Sequence, residues 1–242
     1  MGAIIFNGIS SKDVGIEVET FPTYDLPERE YTAVHVPGRN GDVIIDNGTY
    51  KNVNREYKVS IATYGVSYHQ KMAAVAKWLN TPFGYARLED SYEPDFYRLA
   101  YFKDQLSIEN LFNEAGRGTL KFICKPQKFL KSGDIPMVFT SSNHVLYNKS
   151  GNTALPIVEV ITDNTQGVVE VGGVRVTILA NSGTDIILNT ELQDAYNNLN
   201  ANKNSYIVLN SGIFPILSPG LNGIYFSGGV QRVSIKPNWW VL

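Results

Sequence analysis

Residues 33–61 of this 242-residue chain contain short apolar runs separated by turn residues and end in an alternation of apolar and polar residues, which is typical of a β-strand that buries one face. The alternation is clearest at the end of the stretch, where Tyr57, Val59 and Ile61 are separated by polar residues. The pattern predicts a strand, a turn, a second strand, a second turn and a long third strand.

Two Asn-Gly pairs mark the predicted turns of this stretch, Asn40-Gly41 and Asn47-Gly48. Both residue types tolerate positive φ, which two-residue hairpin loops require. Pro37, just before the first pair, indicates a strand end or a sheet edge. We therefore expect two tight hairpins within about twenty residues.

One segment of the first half has helical spacing. Apolar residues recur in the i, i+3, i+4, i+7 pattern at Met72, Val75, Ala76 and Leu79. The spacing predicts a helix over residues 68–79, with Ser67 as its N-cap. The rest of the first half reads as strands without a regular strand–helix repeat, so its predicted class is α+β. The further strands are expected at residues 4–6, 14–18, 84–88, 96–103, 106–112 and 119–124.

The second half reads as almost pure β. Its clearest hairpin joins residues 168–171 to residues 174–179 through Gly172-Gly173. Further short strands, spaced 8–12 residues apart, predict a sandwich or jelly roll. They are expected at residues 156–162, 185–188, 206–209, 214–217, 223–226 and 229–236, with a short helix or a turn at residues 192–199.

A change of composition predicts two domains. Residues 1–130 hold 15 Lys and Arg and 16 Asp and Glu, whereas residues 131–242 hold only 6 and 7. Residues 126–136 contain Lys-Pro, Ser-Gly and Ile-Pro pairs, which are typical of a linker. We therefore expect an N-terminal β domain with one helix at residues 1–130 and a C-terminal β-sandwich at residues 131–242.

The overall composition argues against several classes of protein. Charged residues make up 18% of the chain and the net charge is −2, so no basic field indicates nucleic-acid binding. The chain shows no secretory signal and no apolar run that could span a bilayer, so synthesis in the cytoplasm is expected. A low charge with many Asn, Ser, Thr and Gly residues favours surfaces that partners cover.

The candidate chemistry is sparse. His35, His69 and His144 lie far apart and lack metal-site spacing. Cys124, the single cysteine, sits in an apolar pattern and is expected to be a small buried hydrophobe. No catalytic motif is present, so we expect neither an enzyme nor a cofactor.

Two further features leave alternatives open. Glu89, Asp90, Glu93 and Asp95 surround a proline-containing turn; they could bind Ca²⁺, but a solvated loop is favoured. The adjacent Trp239-Trp240 pair could stack on sugars. Because neighbouring residues of a strand point to opposite faces, we expect instead that one indole lies in the core and the other at an edge or interface.

The order and spacing of several motifs resemble the distal tail (Dit) proteins of siphophages, mainly those that infect Gram-positive bacteria. Each motif alone is mostly turn chemistry, but together they extend over essentially the whole chain. The motifs are FNGI at residues 6–9, VPGRNGDVIIDNGTYKN at 36–52, FICKP at 122–126, NKSGNTA at 148–154, LNTELQDAY at 188–196, GIFPILSPG at 212–220, SGGV at 227–230 and IKPNW at 235–239.

This resemblance implies a structural hub of the phage tail tip. The first domain would be a β-sandwich with one helix and a hairpin arm, assembling as a homo-hexameric ring around a channel. The second would be a galectin-like sandwich outside the ring. Expected partners are the tail tube protein, the tape measure protein and the tail-associated lysin or tail fibre, with a receptor-binding protein in some phages. The expected location is the virion, at the tail tip.

An extended segment at residues 22–31 and the hairpins at residues 37–49 are our hypothesis for the ring contact, because unpaired strand edges can be completed by a neighbour. The alternative function is a carbohydrate-binding module that grips cell-wall sugar through the C-terminal sandwich. A wall hydrolase is disfavoured because no carboxylate pair is recognisable. The proposed interface residues are Tyr24, Tyr31, Pro37, Arg39, Asn40, Asp46, Asn47 and Tyr50.

Overall fold

A computed structural model describes residues 2–23, 25–62, 67–103, 108–111 and 115–242. The chain divides into two compact units, residues 1–128 and residues 129–241. Both are built from antiparallel strands, and the described residues contain a single α-helix. The mainly β fold class, α+β in the first half, is confirmed.

The described residues of the first unit form ten strands and the helix α1 (Tyr68–Asn80). The strands are β1 (Ile4–Phe6), β2 (Ile9–Ser10), β3 (Ile16–Val18), β4 (Arg29–Val34), β5 (Val43–Tyr50), β6 (Val53–Ala62), β7 (Ala86–Asp90), β8 (Phe96–Phe102), β9 (Ile108–Leu111) and β10 (Ala115–Leu130).

Most of these strands form one curved sheet in the order β2-β1-β7-β8-β10-β6-β3. Gly2, just before β1, exchanges two backbone hydrogen bonds with Val18 of β3, at 3.0 and 3.2 Å. The sheet thus closes on itself, and its inward side chains form the first core. Tyr57, Val59 and Ile61 are all buried there, as their alternation predicts.

Helix α1 packs on this core. The Ser67 hydroxyl accepts a hydrogen bond from the amide of Gln70 at 3.3 Å, which confirms the N-cap. Val75 and Leu79 are buried as predicted, but Ala76 is exposed. Trp78 is buried instead, and its indole N–H donates to the Phe6 carbonyl at 3.1 Å. The contact side of the helix is therefore rotated slightly from the predicted stripe.

The predicted turns at the two Asn-Gly pairs have different outcomes. Asn40-Gly41 lies between two strands as predicted, but the connection from β4 to β5 is an eight-residue loop, residues 35–42, and not a two-residue hairpin turn. Asn47-Gly48 lies within β5, where the register shifts against β4 and Gly48 has a φ of 73°. A positive φ suits a β-bulge as well as a turn, which is why the Asn-Gly signal misled.

The second unit contains nine strands and two 3-10 helices, Lys131–Asp134 and Asn204–Tyr206. Its strands are β11 (Met137–Phe139), β12 (His144–Asn148), β13 (Ile157–Val171), β14 (Val174–Ile178), β15 (Asp185–Asn189), β16 (Asp194–Tyr196), β17 (Ile207–Leu209), β18 (Gly220–Lys236) and β19 (Trp240–Val241).

Strands β13 and β18 pair over most of their length and are shared by both layers of this unit. One half of the pair is flanked by β11, β15 and β16, and the other half by β12, β14 and β17. Register shifts between Ile161 and Gly167 separate the halves. Such bulges allow a strand to pass from one sheet of a sandwich to the other, so the two layers enclose one aliphatic core.

Glycine is required where the two strands bend. A Cβ at Gly229 would lie 2.4 Å from both Asp163 Oδ1 and Thr165 Oγ1. The predicted turn at residues 227–229 is therefore a bend inside one strand, and the two strands expected on either side of it are one, β18. Similarly, β10 continues through residues 126–130, which were expected to be linker.

Other predictions of the second half have mixed outcomes. The Gly172-Gly173 hairpin is confirmed, with φ of 60° and 82° at the two glycines. Residues 192–199 form no helix; they hold the short strand β16. Residues 214–217 form only an isolated bridge, between Leu217 and Ala154.

Candidate assembly arm and its anchorage

Strands β4 and β5 form a separate two-stranded ribbon, which we call the arm. They pair antiparallel, with Tyr31 opposite Asp46 and Val34 opposite Val43. Every residue of β4 is exposed, and β5 is exposed except at its two ends, which are half-buried. Among the described residues, the two strands hydrogen-bond only with each other, so each keeps an unpaired edge.

The arm carries apolar side chains on both faces. Tyr31 and Ile44 share one face, and Val34 and Ile45 share the other, because side chains alternate along a strand. Ile44 is 59% exposed and Ile45 is 52% exposed. Such a two-sided apolar ribbon is unusual for a surface in contact with water, and isolated two-stranded hairpins are marginally stable.

Polar contacts concentrate at the base of the arm and at its tip. Arg29 forms an ion pair with Asp46 and its Nε donates to Asp46 Oδ1 at 3.1 Å. Lys51 pairs with Glu28 at 3.0 Å. His35 and Asp42 close the tip at 3.4 Å. These exposed pairs contribute little to stability, but they set the register of the ribbon.

The structure brings most of the proposed interface residues onto this one ribbon. Tyr31, Asp46 and Asn47 lie along the strands, and all three are exposed. Tyr50 is half-buried at the base, opposite Arg29. Pro37, Arg39 and Asn40 lie in the exposed tip loop, and Tyr24 lies outside the described residues. Their role in a ring contact stays a prediction.

Sequence reasoning missed the apolar residues that matter most on this surface, Ile44 and Ile45. The signal was available in Val43-Ile44-Ile45, because three consecutive apolar residues in a strand must occupy both faces. In a strand that buries only one face, apolar and polar residues would alternate instead. The pattern predicts a hairpin here, and the predicted interface includes neighbouring residues such as Asp46, Asn47 and Tyr50 but not the two isoleucines.

A buried charged cluster holds the segment that leads into the arm. Arg55 is nearly buried in β6 and donates to the backbone carbonyl of Thr23 at 3.1 Å. It also contacts Asp90 at 3.0 Å and Glu93 at 3.1 Å. The Tyr57 hydroxyl donates to Asp90 at 2.9 Å. The chain entering the arm is thus fixed to the core sheet by charge-assisted hydrogen bonds.

Glu93 joins three cations in this cluster. Besides Arg55, it contacts Arg98 at 3.1 Å and Lys128 at 2.7 Å. Burial alone would raise the pKa of Glu93. The hydrogen bond from Lys128 and the charges of Arg98, Lys128 and Arg55 outweigh burial, so the pKa lies below its ordinary value.

The two predictions for the acidic turn, a Ca²⁺ site and a solvated loop, are therefore both wrong for Asp90 and Glu93. Their side chains are 5% and 19% exposed, so the turn is not a solvated loop. Their oxygens face arginine, lysine and tyrosine donors, which is the environment of an ion-pair cluster and not of a calcium site. No group of three or more metal-ligating side chains occurs in the described part of the chain.

The remaining candidate residues are dispersed. His35 lies at the arm tip, His69 in α1 and His144 in β12. Cys124 is fully buried, as predicted, and burial raises the pKa of its thiol to about 12. No helix among the described residues is long and apolar enough to span a bilayer.

The tryptophan pair is structural. Trp239 is 8% exposed and belongs to the core of the second unit. Trp240 is half-buried, and its indole N–H donates to the Thr153 carbonyl at 2.9 Å. The expectation of one core indole and one edge indole is confirmed, and the pair offers no open stacking platform.

Comparisons with known proteins agree with this architecture. Residues 11–124 match the family model of the phage tail protein RIFT-related domain. The crystal structure of SPP1 Dit (gp 19.1), presented as a paradigm of the hub adsorption apparatus in phages that infect Gram-positive bacteria, is similar along 97% of both chains. The TM-score is 0.74 at 13% sequence identity. No curated protein sequence matches the chain significantly. The resemblance to Dit proteins is confirmed for the fold of the chain, and the first domain matches a phage tail domain family.

Proposed function

We propose, from the premise that residues 11–124 belong to the phage tail RIFT-related domain family and that the whole chain has the Dit fold, that this protein is a structural hub of a siphophage tail tip. In this proposal six copies form a ring, and the arm of each copy contacts its neighbour. The role is assembly and involves no catalysis.

The observation that carries the proposal is the arm's exposed apolar surface on both faces. A single protomer gives the described part of the ribbon no cover, whereas a neighbour can bury Ile44 and Ile45 together with the open strand edges. Burial of apolar side chains and completion of the edge hydrogen bonds both favour association. The ribbon is thus suited to a contact between protein chains.

Ring closure requires a particular kind of contact. A cyclic assembly of more than two copies is built from heterologous interfaces, in which two different patches of each protomer meet. An arm that projects its exposed strands supplies one patch, and the neighbour's surface supplies the other. The buried Arg55 cluster at the arm's entry favours this role, because it holds the chain at Thr23 in one position.

The expected partners follow from the resemblance to Dit proteins. One side of the ring would meet the tail tube and the tape measure protein, and the other the tail-associated lysin or tail fibre. The second unit would lie outside the ring and could hold a receptor-binding protein. The protein would then reside in the virion, at the tail tip, after synthesis in the host cytoplasm.

The proposal is tested by the solution mass of the full chain, measured by light scattering over a range of concentrations. We expect the mass to rise towards about six times the 26.9 kDa of one chain. The double variant Ile44→Glu/Ile45→Glu should remain monomeric, since it places charges on both faces of the arm. Deleting residues 38–48 should have the same effect.

Leu199→Glu is the matched control, because Leu199 is 86% exposed in the second unit and lies outside the arm. It should assemble like the parent chain. Persistence of the full assembly in the arm variant would overturn the proposal.

A further inference from the structure

The second unit exposes one face of a sheet made by β12, β18, β13 and β14. Along β18 the outward residues are Leu221, Gly223 and Tyr225, since Asn222 and Ile224 between them are buried. Tyr225 is 43% exposed. The face therefore presents an aromatic side chain on a rigid, fully paired strand.

The Tyr225 ring lies across Gly223. A Cβ at Gly223 would come within 2.6 Å of Tyr225 Cε2, so only glycine leaves room for the ring at this position. One side of the ring is thus supported by the backbone of the sheet. A ring held in this way presents its other face to solvent as a flat platform.

Polar groups flank the ring on one side. Glu170 of β13 is directly opposite Tyr225, and Arg175 of β14 is directly opposite Glu170. Arg175 donates from Nε and Nη2 to the same oxygen of Glu170, at 3.1 and 3.0 Å. This leaves the other carboxylate oxygen and further guanidinium N–H groups as acceptor and donors beside the platform.

The loop before β12 lines the other side. The Ser142 hydroxyl accepts a hydrogen bond from the Phe226 amide at 2.9 Å, and the Asn143 amide donates to the Ile224 carbonyl at 3.1 Å. Both residues are exposed. These two bonds hold the loop against β18 on this side of Tyr225, and the carboxylate–guanidinium pair of Glu170 and Arg175 lies on the opposite side.

We propose that this face binds a neutral carbohydrate, with a pyranose ring stacked on Tyr225. A pyranose has an apolar C–H face and an equatorial belt of hydroxyls, which match a flat aromatic ring with donors and acceptors around its edge. Glu170 and Arg175 neutralise each other, which favours uncharged hydroxyls over an anionic ligand. Val145 and Leu221 extend the apolar floor for a second sugar unit.

This inference is independent of the hub function, because it rests on the second unit and the ring contact rests on the arm. The two can fail separately: sugar binding is read by a ligand signal, and ring formation by mass. A single shallow platform binds weakly, so millimolar dissociation constants are expected.

The experiment is saturation-transfer NMR of the full chain with glucose, galactose, mannose and N-acetylglucosamine, as monosaccharides and as β-linked disaccharides. At least one should give saturable binding. Tyr225→Ala should weaken that binding by about tenfold or more, and Tyr225→Phe should largely retain it because the stacking face remains. Arg175→Ala should weaken it less than Tyr225→Ala.

Leu192→Ala is the control. Leu192 is 66% exposed and lies outside the four strands that form this face. It should leave monosaccharide binding unchanged. Equal losses in the Leu192 and Tyr225 variants, or no saturable binding to any sugar of the panel, would overturn the inference. A change of solution mass in Tyr225→Ala would assign the face to protein contact instead.

Discussion

The chain contains two hairpins with similar residues and opposite environments. In the β13–β14 hairpin, Val169, Val171 and Val176 are fully buried and the outward residues are polar or half-exposed. In the arm, Val34, Ile44 and Ile45 are exposed. The first hairpin is stabilised by its own domain, whereas the described part of the protomer leaves these apolar side chains of the second hairpin uncovered. This difference is the basis of the proposal that the arm serves assembly and not the folding of the protomer.

The largest expected difference concerns two arginines. Arg55→Met should lower the free energy of unfolding by about 3–5 kcal/mol, because it leaves the buried Asp90 carboxylate without its cation. Arg29→Met, in the exposed arm, should leave that free energy unchanged within error. Urea unfolding followed by circular dichroism measures both. Similar losses in the two variants would mean that the arm is part of the cooperative core.

The next largest difference in stability is expected between alanine substitutions at two glycines with positive φ, one in the second unit and one in the tip loop of the arm. Gly172→Ala should lower the free energy of unfolding by roughly 2–4 kcal/mol, because its Cβ would lie 2.1 Å from the Ile216 carbonyl oxygen and its φ is 60°. Gly38→Ala in the tip loop meets no atom within 4 Å, so only the strain of its φ of 81° remains, and it should lower the free energy of unfolding by about 1 kcal/mol or less. Thermal melts of both variants decide the comparison; an undisturbed Gly172→Ala protein would contradict it.

A smaller difference in stability is expected when one aliphatic side chain of each hairpin is replaced by alanine. Val169→Ala should cost about 2 kcal/mol through lost burial and a small cavity. Ile45→Ala should cost less than about 0.5 kcal/mol in the monomer but should weaken assembly. Chemical unfolding and light scattering on the same samples separate the two effects. A stability loss at Ile45 equal to that at Val169 would show that the arm packs on its own chain.

The smallest difference is expected in the pH dependence. The pKa of Glu93 is lowered in the folded state, so its contribution is present above the ordinary pKa of 4.5 and is lost as the pH falls through the lower folded value. Glu93→Gln should therefore make the free energy of unfolding fall less steeply on the acid limb of the stability curve, as the pH is lowered. The pKa of Asp46 is also lowered, mainly by its hydrogen bond from Arg29, but Asp46→Asn should leave the acid limb of global unfolding unchanged. Urea midpoints between about pH 6 and pH 3 test both.

Sequence reasoning predicted the elements whose signals are local. The alternation of Tyr57, Val59 and Ile61, the helix cap at Ser67 and the Gly172-Gly173 hairpin depend on neighbours along the chain. Prediction failed where distant partners decide the conformation. Asn47-Gly48 became a bulge because β4 pairs past it, and residues 227–229 became a bend inside β18 because β13 bends beside them.

Most of the predicted interface residues lie on the β4–β5 ribbon or its tip loop, and their role in a contact stays a prediction. A hairpin arm was expected from the resemblance, and the residue pattern predicted an extended segment at 22–31 followed by hairpins at 37–49. The Arg55 cluster, which joins residues 23, 90, 93, 98 and 128, becomes visible only in three dimensions. The sequence around a turn does not show that the ion-pair partners of its acidic residues lie on other strands.

The most direct test of the central claim is hydrogen–deuterium exchange of the arm amides in the monomer and in the assembled protein. The account predicts that backbone amides on the outer edges of residues 29–34 and 43–50 exchange rapidly in dilute monomer and become strongly protected on assembly, while amides of β13 and β14 are protected in both states. Fast exchange of the arm edges in a fully assembled sample would contradict the claim that the arm forms the contact between protomers.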